Sequence, residues 1–461
     1  MKCDYSLLVS FTKHGVWWLP SRPEDRVRGD LVFDGDHTRL KLYGAFQGTE
    51  TVFVYRDEEI ILGSCSDEDV TLLNCGLGER WDVMKDSITS TWRCQFALIG
   101  LHAFGGLDHA FTQAEVRFTG LEHWIADNPF ENRFPSDPND RLCTFRIEHH
   151  HECPRDFDVP AINASIGLAA SCEQKGAGYK ISLEHRANVR ISPDQQRDLM
   201  WFIETQYQFQ RMLSFFADAS VQTLTLRLFS KGDSHFDVPN GCLIWPATQR
   251  KDNSDRLSRG MLIHFSDIAS RFGEVLNIWY ANAERLKHVY NQFFAAKQND
   301  IIYADQEFLQ LAQALEVFSR VAFDSKYVAE DEYKTIADAL VAAIPVTDPD
   351  LKESLKSRIR FGNEFSLRKR ISSILKNFEP ETVGLITKNV KAFVGKIVDT
   401  RNFFVHLDET SCGNAIKDDE LYPAIDKLRL LLMILLMLEL KFSEKETRDI
   451  VSRSIVFERG E

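Results

Sequence analysis

The hydrophobic pattern of this chain changes period near residue 240, and a chain with two periods has to build two kinds of core. Ahead of that point turn residues recur at short intervals, among them Gly15, Pro20, Gly29, Gly35, Gly44, Gly63, Gly76, Gly100 and Gly120. Between them lie Leu31-Val32-Phe33, Leu40 to Tyr43, Thr51 to Tyr55 and Trp92 to Leu98. Their β-branched and aromatic content is that of strands in an antiparallel sandwich or barrel. One helix interrupts them. Ser192-Pro193-Asp194 reads as its N-cap with proline at the first position, and Leu199, Phe202, Phe209, Leu213 and Phe216 follow at helical spacing, broken only by Gln206. A further strand spans Thr223 to Phe229.

Past a polar stretch from Gln249 to Arg259 the alternation is gone. Ile268, Phe272, Val275, Trp279, Leu286, Val289 and Phe293 form one helical stripe, with Asn282 its polar member. Phe308, Leu311, Leu315, Phe318 and Ala322 form a second, and Leu367, Ile371, Ile374 and Phe378 a third. Phe393, Ile397, Phe404 and Leu407 give a fourth, while Leu421 to Leu440 is apolar nearly all round. The expected fold is α+β and multidomain: a β-rich, sandwich-like N-terminal domain over residues 1–240, a linker and connecting helix over 241–302, and an all-α helical bundle over 303–461.

Composition limits the function classes. With 461 residues, 44% hydrophobic and 27% charged, the chain is globular rather than disordered. Its 55 Lys and Arg against 68 Asp and Glu give a net charge of −13, which excludes a protein that coats nucleic acid through bulk charge. Nine scattered cysteines without a CxxC pair read as reduced thiols. The N-terminal residues carry no secretory signal, and the longest apolar run, Leu430 to Leu438, falls far short of the roughly 20 residues that cross a bilayer. A cytoplasmic protein without a membrane partner is expected.

Cofactor signatures are absent. Gly76-Leu77-Gly78 lacks the third glycine of a dinucleotide fingerprint, Gly176-Ala177-Gly178 adjoins no strand-to-helix switch, and there is no Gly-Lys-Ser of a phosphate loop. His149-His150-His151 places only His149 and His151 on one face of a strand, with Glu148 and Cys153 as the nearest further ligands, whereas zinc needs three or four convergent groups. Neither a metal nor a cofactor is expected.

An arginine five residues ahead of a histidine occurs three times: Arg146 with His151, Arg259 with His264, and Arg401 with His406. The first lies in the β region, where such residues point to opposite faces, and the second sits at a domain edge with no polar neighbour beside the arginine. The third lies on the helix whose buried face holds Phe393, Ile397, Phe404 and Leu407. Off that face Asp399, Asn402 and His406 form a polar row, with Arg401 expected on its shoulder. Histidine moves protons near neutral pH, arginine binds and neutralises a phosphate, and asparagine orients either group, so the set suits a phosphodiester and requires no metal. From Leu351 to Arg401 the chain has twelve basic and five acidic residues, a local balance of +7. Lys369, Arg370, Lys388 and Lys391 in that window are the expected RNA contacts.

Arg401-Asn402-x-x-x-His406 within a C-terminal helical bundle resembles the HEPN superfamily, whose Arg-polar-xxx-His motif marks metal-independent endoribonucleases. Gly15 to Pro20, Gly29 to Asp34 and Leu40 to Phe46 resemble the N-terminal domain of ApeA-type proteins, in which that domain precedes HEPN and which are associated with abortive-infection defence against bacteriophage. The resemblance implies that Arg401 contacts the scissile phosphate, His406 acts as general acid or base, and Asn402 positions them. It further implies attack by the ribose 2′-hydroxyl on its own phosphate, leaving a 2′,3′-cyclic phosphate, with tRNA one candidate among cellular RNAs. The N-terminal domain would sense a phage-derived trigger. A single histidine cannot be both acid and base, so a homodimer is expected, sealed by the apolar helix Leu428 to Leu440 or else using that helix as internal core. The competing reading is a non-catalytic HEPN protein that binds a nucleotide, RNA or a protein partner.

Overall fold

Alternation of buried and exposed side chains, the pattern that pleating imposes, runs through the N-terminal strands of the computed structural model: Thr38, Leu40 and Leu42 point inward while Arg39 and Lys41 point out. The structure describes residues 5–46, 57–66, 68–82, 88–125, 129–133, 146–150, 155–177, 179–230, 241–245, 261–298, 303–323, 325–345, 348–406 and 413–453. The strand expected at Thr51 to Tyr55, the polar stretch Gln249 to Arg259, and His151, Cys153 and Leu407 lie outside the described residues. The chain divides into two units, Met1–Tyr280 and Ala281–Glu461.

In the first unit the strands are β1 (Phe11–Leu19), β2 (Arg22–Phe33), β3 (Thr38–Leu42), β4 (Asp57–Cys65), β5 (Glu68–Asp82), β6 (Ile88–Ile99), β7 (Gln113–Phe118), β8 (Phe130–Arg133), β9 (Arg146–His149), β10 (Arg155–Val159), β11 (Ala164–Lys175), β12 (Ser182–Pro193), β13 (Thr223–Phe229) and β14 (Gly241–Ile244). Twelve of them pair in the order β10-β11-β12-β7-β13-β14-β6-β3-β2-β1-β4-β5, and β5 returns to β6. The last six therefore close into a barrel, which settles the choice between sandwich and barrel for this part of the sheet. Its interior holds Trp17, Leu31, Phe33, Leu40, Leu42, Ile61, Leu72 and Trp92. Trp17 lies flat on Gly63, where a Cβ would meet its ring at 2.2 Å, and its indole N–H donates to the carbonyl of Gly29 at 3.1 Å. β8 and β9 form a separate hairpin.

The helices of this unit are α1 (Leu121–Ile125), α2 (Leu199–Phe216), α3 (Phe265–Ile268) and α4 (Phe272–Asn282), whose last two residues pass the boundary. Helix α2 is capped by Asp198, which accepts from the N–H of Trp201 at 2.8 Å, and not at Ser192 to Asp194. Ser192 and Pro193 instead continue β12, paired with Ser165 and Ala164. A proline at the end of a strand costs no ladder bond, which is why both readings of the tripeptide are physically open in the sequence. Gln206, the polar break in the stripe, is buried and accepts from the hydroxyl of Thr223 at 2.8 Å.

The expected boundary at 240 and the linker beyond it are corrected. Cys242, Leu243 and Ile244 of β14 lie between β13 and β6 and are at most 1% exposed. Helices α3 and α4 close around Trp124, whose ring meets Phe216, Phe265 and Phe272 within 5.9 Å and whose N–H donates to the carbonyl of Ile263. Trp279 and Tyr280 fasten α4 to α2 by donating to the carbonyls of Gln208 and Thr205. The first half of the apolar stripe, Ile268 to Trp279, completes this core, while Leu286, Val289 and Phe293 fall in the second unit.

The second unit is helical: α5 (Lys287–Gln298), α6 (Ala304–Ala322), α7 (Glu330–Ala342), α8 (Pro349–Arg360), α9 (Leu367–Lys376), α10 (Pro380–Ile386), α11 (Val390–His406), α12 (Leu421–Glu439) and α13 (Glu444–Ser452). Sequence signals start several of them. Asp348 caps α8 ahead of Pro349, Ser366 caps α9, and Ser443 with Glu446 forms the capping box of α13. Helix α6 packs against α5, α9, α11 and α12, burying Phe308, Leu311, Leu315 and Phe318. Helix α12 is enclosed: the apolar side chains from Leu428 to Met437 are at most 7% exposed in a single chain. Its leucines are core, and the expected dimer seal at Leu428 to Leu440 is not available as a surface. Among the described residues no helix is long and apolar enough to cross a membrane.

Replacing Trp124 by alanine removes the ring around which α2, α3 and α4 assemble, so Trp124→Ala is expected to cost about 3–5 kcal/mol of stability in denaturant unfolding. An unchanged midpoint would contradict the placement of α3 and α4 in this core.

Candidate functional site

Helix α11 positions Arg401, Asn402 and His406. Phe393, Val394, Ile397 and Val398 bury one side of it, and Phe404 meets Phe308 of α6 edge-on at 6.0 Å. Thr400, fully buried, donates to the carbonyl of Lys396 and accepts from the N–H of Ile416, which ties the returning chain to the last turns. The helix ends at His406, so the catalytic candidates occupy its final two turns.

A helix turns by about 100° per residue, so residues five apart diverge by about 140°. Arg401 accordingly does not sit on the shoulder of the polar row. It lies on the side facing α6, 32% exposed, in a groove of about 460 Å³ lined by Leu309, Gln313, Glu316, Val317, Arg320, Arg401 and Val405. His406 stands exposed at the helix end. Asn402 lies between them in azimuth, and its Oδ1 accepts from the Arg401 guanidinium at 3.3 Å. The third member of the row, Asp399, is taken up elsewhere: Arg368 of α9 donates to it at 3.0 Å, and the Asn414 amide approaches at 3.5 Å.

Inside the groove a Glu316 carboxylate oxygen lies 3.8 Å from Arg401, and its other oxygen is 3.0 Å from Arg320. Arg320 also reaches Glu364 at 3.2 Å, and Glu364 pairs with Arg370 at 3.2 Å. Glu316 and Arg320 escaped the sequence reading. Their signal is their spacing, since they lie four apart on the face of α6 next to its apolar stripe, but only the fold puts that face opposite Arg401.

Of the expected RNA contacts, Lys369, Lys388 and Lys391 are exposed, Lys369 with its ammonium 5.4 Å from the centre of the Phe365 ring. Arg370 is a correction. Its side chain is 1% exposed, its Nε donates to the carbonyl of Phe365 at 2.8 Å, and burial lowers its pKa below the usual arginine range. It pins α9 from inside and offers no surface to RNA.

Of the other two arginine–histidine pairs, Arg146 lies 3.8 Å from Glu148 on β9, and His264 caps α3 in a capping box with Asp267; His151 and Arg259 lie outside the described residues. In the histidine run, His149 Nε2 meets His185 Nδ1 at 2.8 Å. His150 stands between Glu131 and Glu148, at 3.4 and 3.9 Å, where the two glutamates face each other in register across β8 and β9. These three bring ligand atoms within 4.8 Å of one another on an open surface, where Glu131 could be placed only by the pairing of β8 with β9. Cys65, Cys75, Cys94 and Cys242 are buried, and burial pushes the Cys65 thiol up to about 11, which suits core packing and not nucleophilic chemistry.

The different placements of the basic residues separate two effects of mutation. Arg370→Met is expected to lower the unfolding midpoint because it removes one of the two cations on Glu364 and the donor to the carbonyl of Phe365, whereas Lys388→Glu and Lys391→Glu leave the midpoint unchanged. Equal midpoints for all three would show that Arg370 is not structural.

Residues 12–279 match the family described as ApeA N-terminal domain 1, and residues 309–446 match the one described as Apea-like HEPN. The first match ends at the last residues of the β-rich unit, and the second takes in most of α6 and the whole of α11. No curated protein and no solved structure matches the chain. With one match covering more than half of its length and the other holding the arginine, the amide and the histidine, the chain belongs to the ApeA family, an ApeA N-terminal domain followed by an HEPN domain.

Proposed function

We propose that this defence-associated HEPN protein is a metal-independent endoribonuclease that cuts cellular RNA, tRNA being one candidate, when its N-terminal unit senses a phage-derived trigger. The observation that carries this reading is the state of Arg401. Of the five N–H donors of its guanidinium, one is bonded to a side chain, Asn402, the contact to Glu316 is long, and the residue lines a groove of about 460 Å³. A guanidinium in that state is suited to a phosphate, and the exposed imidazole of His406 on the same two turns is suited to proton transfer.

In this mechanism the ribose 2′-hydroxyl attacks the adjacent phosphorus and the P–O5′ bond breaks, giving a 2′,3′-cyclic phosphate and a 5′-hydroxyl. One imidazole takes the proton from the 2′-oxygen and another gives a proton to the departing 5′-oxygen. Arg401 neutralises the charge that grows on the non-bridging oxygens, and Asn402 holds Arg401 at its azimuth. The chain provides one such histidine, so a homodimer that brings two copies of His406 to one phosphate completes the chemistry. Lys391, in the first turn of α11, sits about 22 Å from His406 at 1.5 Å per residue, and with Lys388 just ahead of the helix serves as a distant anchor for the strand.

One observation favours the competing, non-catalytic reading: Arg401 and His406 leave their helix in directions about 140° apart. Both readings meet the same test. Cells carrying the intact protein are expected to survive phage challenge as a culture and to yield RNA fragments with 5′-hydroxyl ends, unaffected by a chelator in extracts. His406→Ala and Arg401→Ala should each lower cleavage by at least about 100-fold. Equal protection by His406→Ala would transfer the function to binding.

A further inference from the structure

We propose that the groove between α6 and α11 is a phosphodiester site with two guanidiniums, Arg401 and Arg320, and that Glu316 fills it until RNA displaces its carboxylate. The inference rests on the ribonuclease reading and adds a second phosphate contact and a built-in threshold to it.

The geometry is that of a bridged pair of arginines. One oxygen of Glu316 lies 3.0 Å from Arg320 and the other 3.8 Å from Arg401, so a single carboxylate spans both cations. A phosphodiester presents the same charge of −1 through two terminal oxygens, and arginine binds carboxylate and phosphate with the same fork of donors. Exchange of one anion for the other therefore leaves the charge of the groove unchanged. The two contacts differ in strength. At 3.0 Å the Arg320 pair is a charge-assisted hydrogen bond, whereas 3.8 Å to Arg401 is beyond hydrogen-bond reach. The carboxylate thus competes most weakly at the cation on which the chemistry depends.

The surroundings support displacement without collapse. Arg320 keeps a second partner, Glu364, at 3.2 Å, and Glu364 is itself held by the buried Arg370. When Glu316 swings out, Arg320 stays anchored on its far side. Glu316 is 23% exposed and lies on the groove face of α6, so a rotamer change carries it toward solvent without disturbing Leu315 or Phe318 in the core. Gln313, one turn earlier on the same face, offers an amide to a ribose or a base edge.

The test measures binding of a short single-stranded RNA to the full chain carrying His406→Ala, so that cleavage plays no part. Adding Glu316→Gln, which keeps the side chain's size, is expected to tighten binding about three- to tenfold and to steepen the salt dependence by about 0.7 in logarithmic slope. Arg320→Gln is expected to weaken binding about tenfold, with its unfolding midpoint measured alongside. In the Glu316→Gln background, adding Arg401→Ala should abolish the gain. Unchanged or weaker binding by Glu316→Gln would overturn the proposal, as would a gain that survives loss of Arg401 or displacement of the RNA by an equal concentration of a nucleoside monophosphate. These outcomes are independent of cleavage. A protein that cuts RNA, yet binds it equally well with and without the Glu316→Gln change, keeps the ribonuclease reading and loses this one.

Discussion

A guanidinium cannot be buried without a counter-charge, and in the helical unit that requirement starts a chain of partners ending at the candidate site. Arg370 is enclosed by α9 and the turn before it, where the cost of removing its charge from water is met by Glu364 and by the carbonyl of Phe365. Glu364 also holds Arg320 on α6, Arg320 holds Glu316, and Glu316 faces Arg401 on α11. Three helices are therefore registered by alternating charges that run from the interior to an open groove. The apolar packing of Phe308, Leu315, Phe393 and Ile397 supplies the bulk of the adhesion, since burial stabilises in proportion to area. What the ionic chain adds is complementarity: the side of α11 that this packing turns toward α6 carries Arg401, and it meets Glu316 there.

The sequence was most legible where a pattern is local. Strand alternation in β3, the stripe of α2, the caps at Ser366 and Ser443, and the two-part division into a β-rich and a helical region all follow from neighbours a few residues apart. It was least legible where long-range pairing decides. Ser192-Pro193 has the chemistry of a helix start, yet pairing with Ala164 and Ser165 draws it into β12. The stripe through Phe272 and Trp279 has the period of a bundle helix, and only Trp124, far back in the chain, explains why α4 belongs with the β-rich unit. Arg370 shows the same limit for charge: nothing local separates it from Lys369 beside it, although one is buried and the other exposed.

Local charge reads differently once folded. The window from Leu351 to Arg401 has a balance of +7 in the sequence, but several of its cations face carboxylates: Arg368 meets Asp399, Arg370 Glu364, Lys396 Glu420 and, at the longer distance of 3.8 Å, Arg401 Glu316. Glu420 and Glu316 come from outside the window, so a count along the chain overstates the field that a ligand meets. Among the described residues Lys388 and Lys391 have no carboxylate partner, and both lie where α11 begins. Lys352, Arg358, Arg360, Lys369 and Lys376 likewise have none, so the uncompensated positive charge is spread over α8, α9 and the start of α11, while the cation of the groove faces a carboxylate. Open positive charge and the compensated groove therefore belong to different residues, within a chain of net charge −13.

The divergence of Arg401 and His406 bears on how such a motif works at all. On one helix the spacing of five directs the arginine at α6 and the histidine at solvent, so a phosphate seated on Arg401 does not lie against the same helix's imidazole. Under the proposed reading two arrangements bring them together: the backbone changes after Phe404, or the imidazole comes from a second chain. A change that reached back to Thr400 would strand two groups, because its buried hydroxyl bonds both to the carbonyl of Lys396 and to the N–H of Ile416, so the first arrangement is confined to the residues after Phe404. A second copy needs no change of backbone. It also supplies the other proton-transfer group that a transesterification requires, and its contact must use a face other than α12, whose apolar side chains the core of one chain already consumes. Helices α7 and α8, which bury no side chain and expose Ile336, Leu340 and Leu351, leave such a face open.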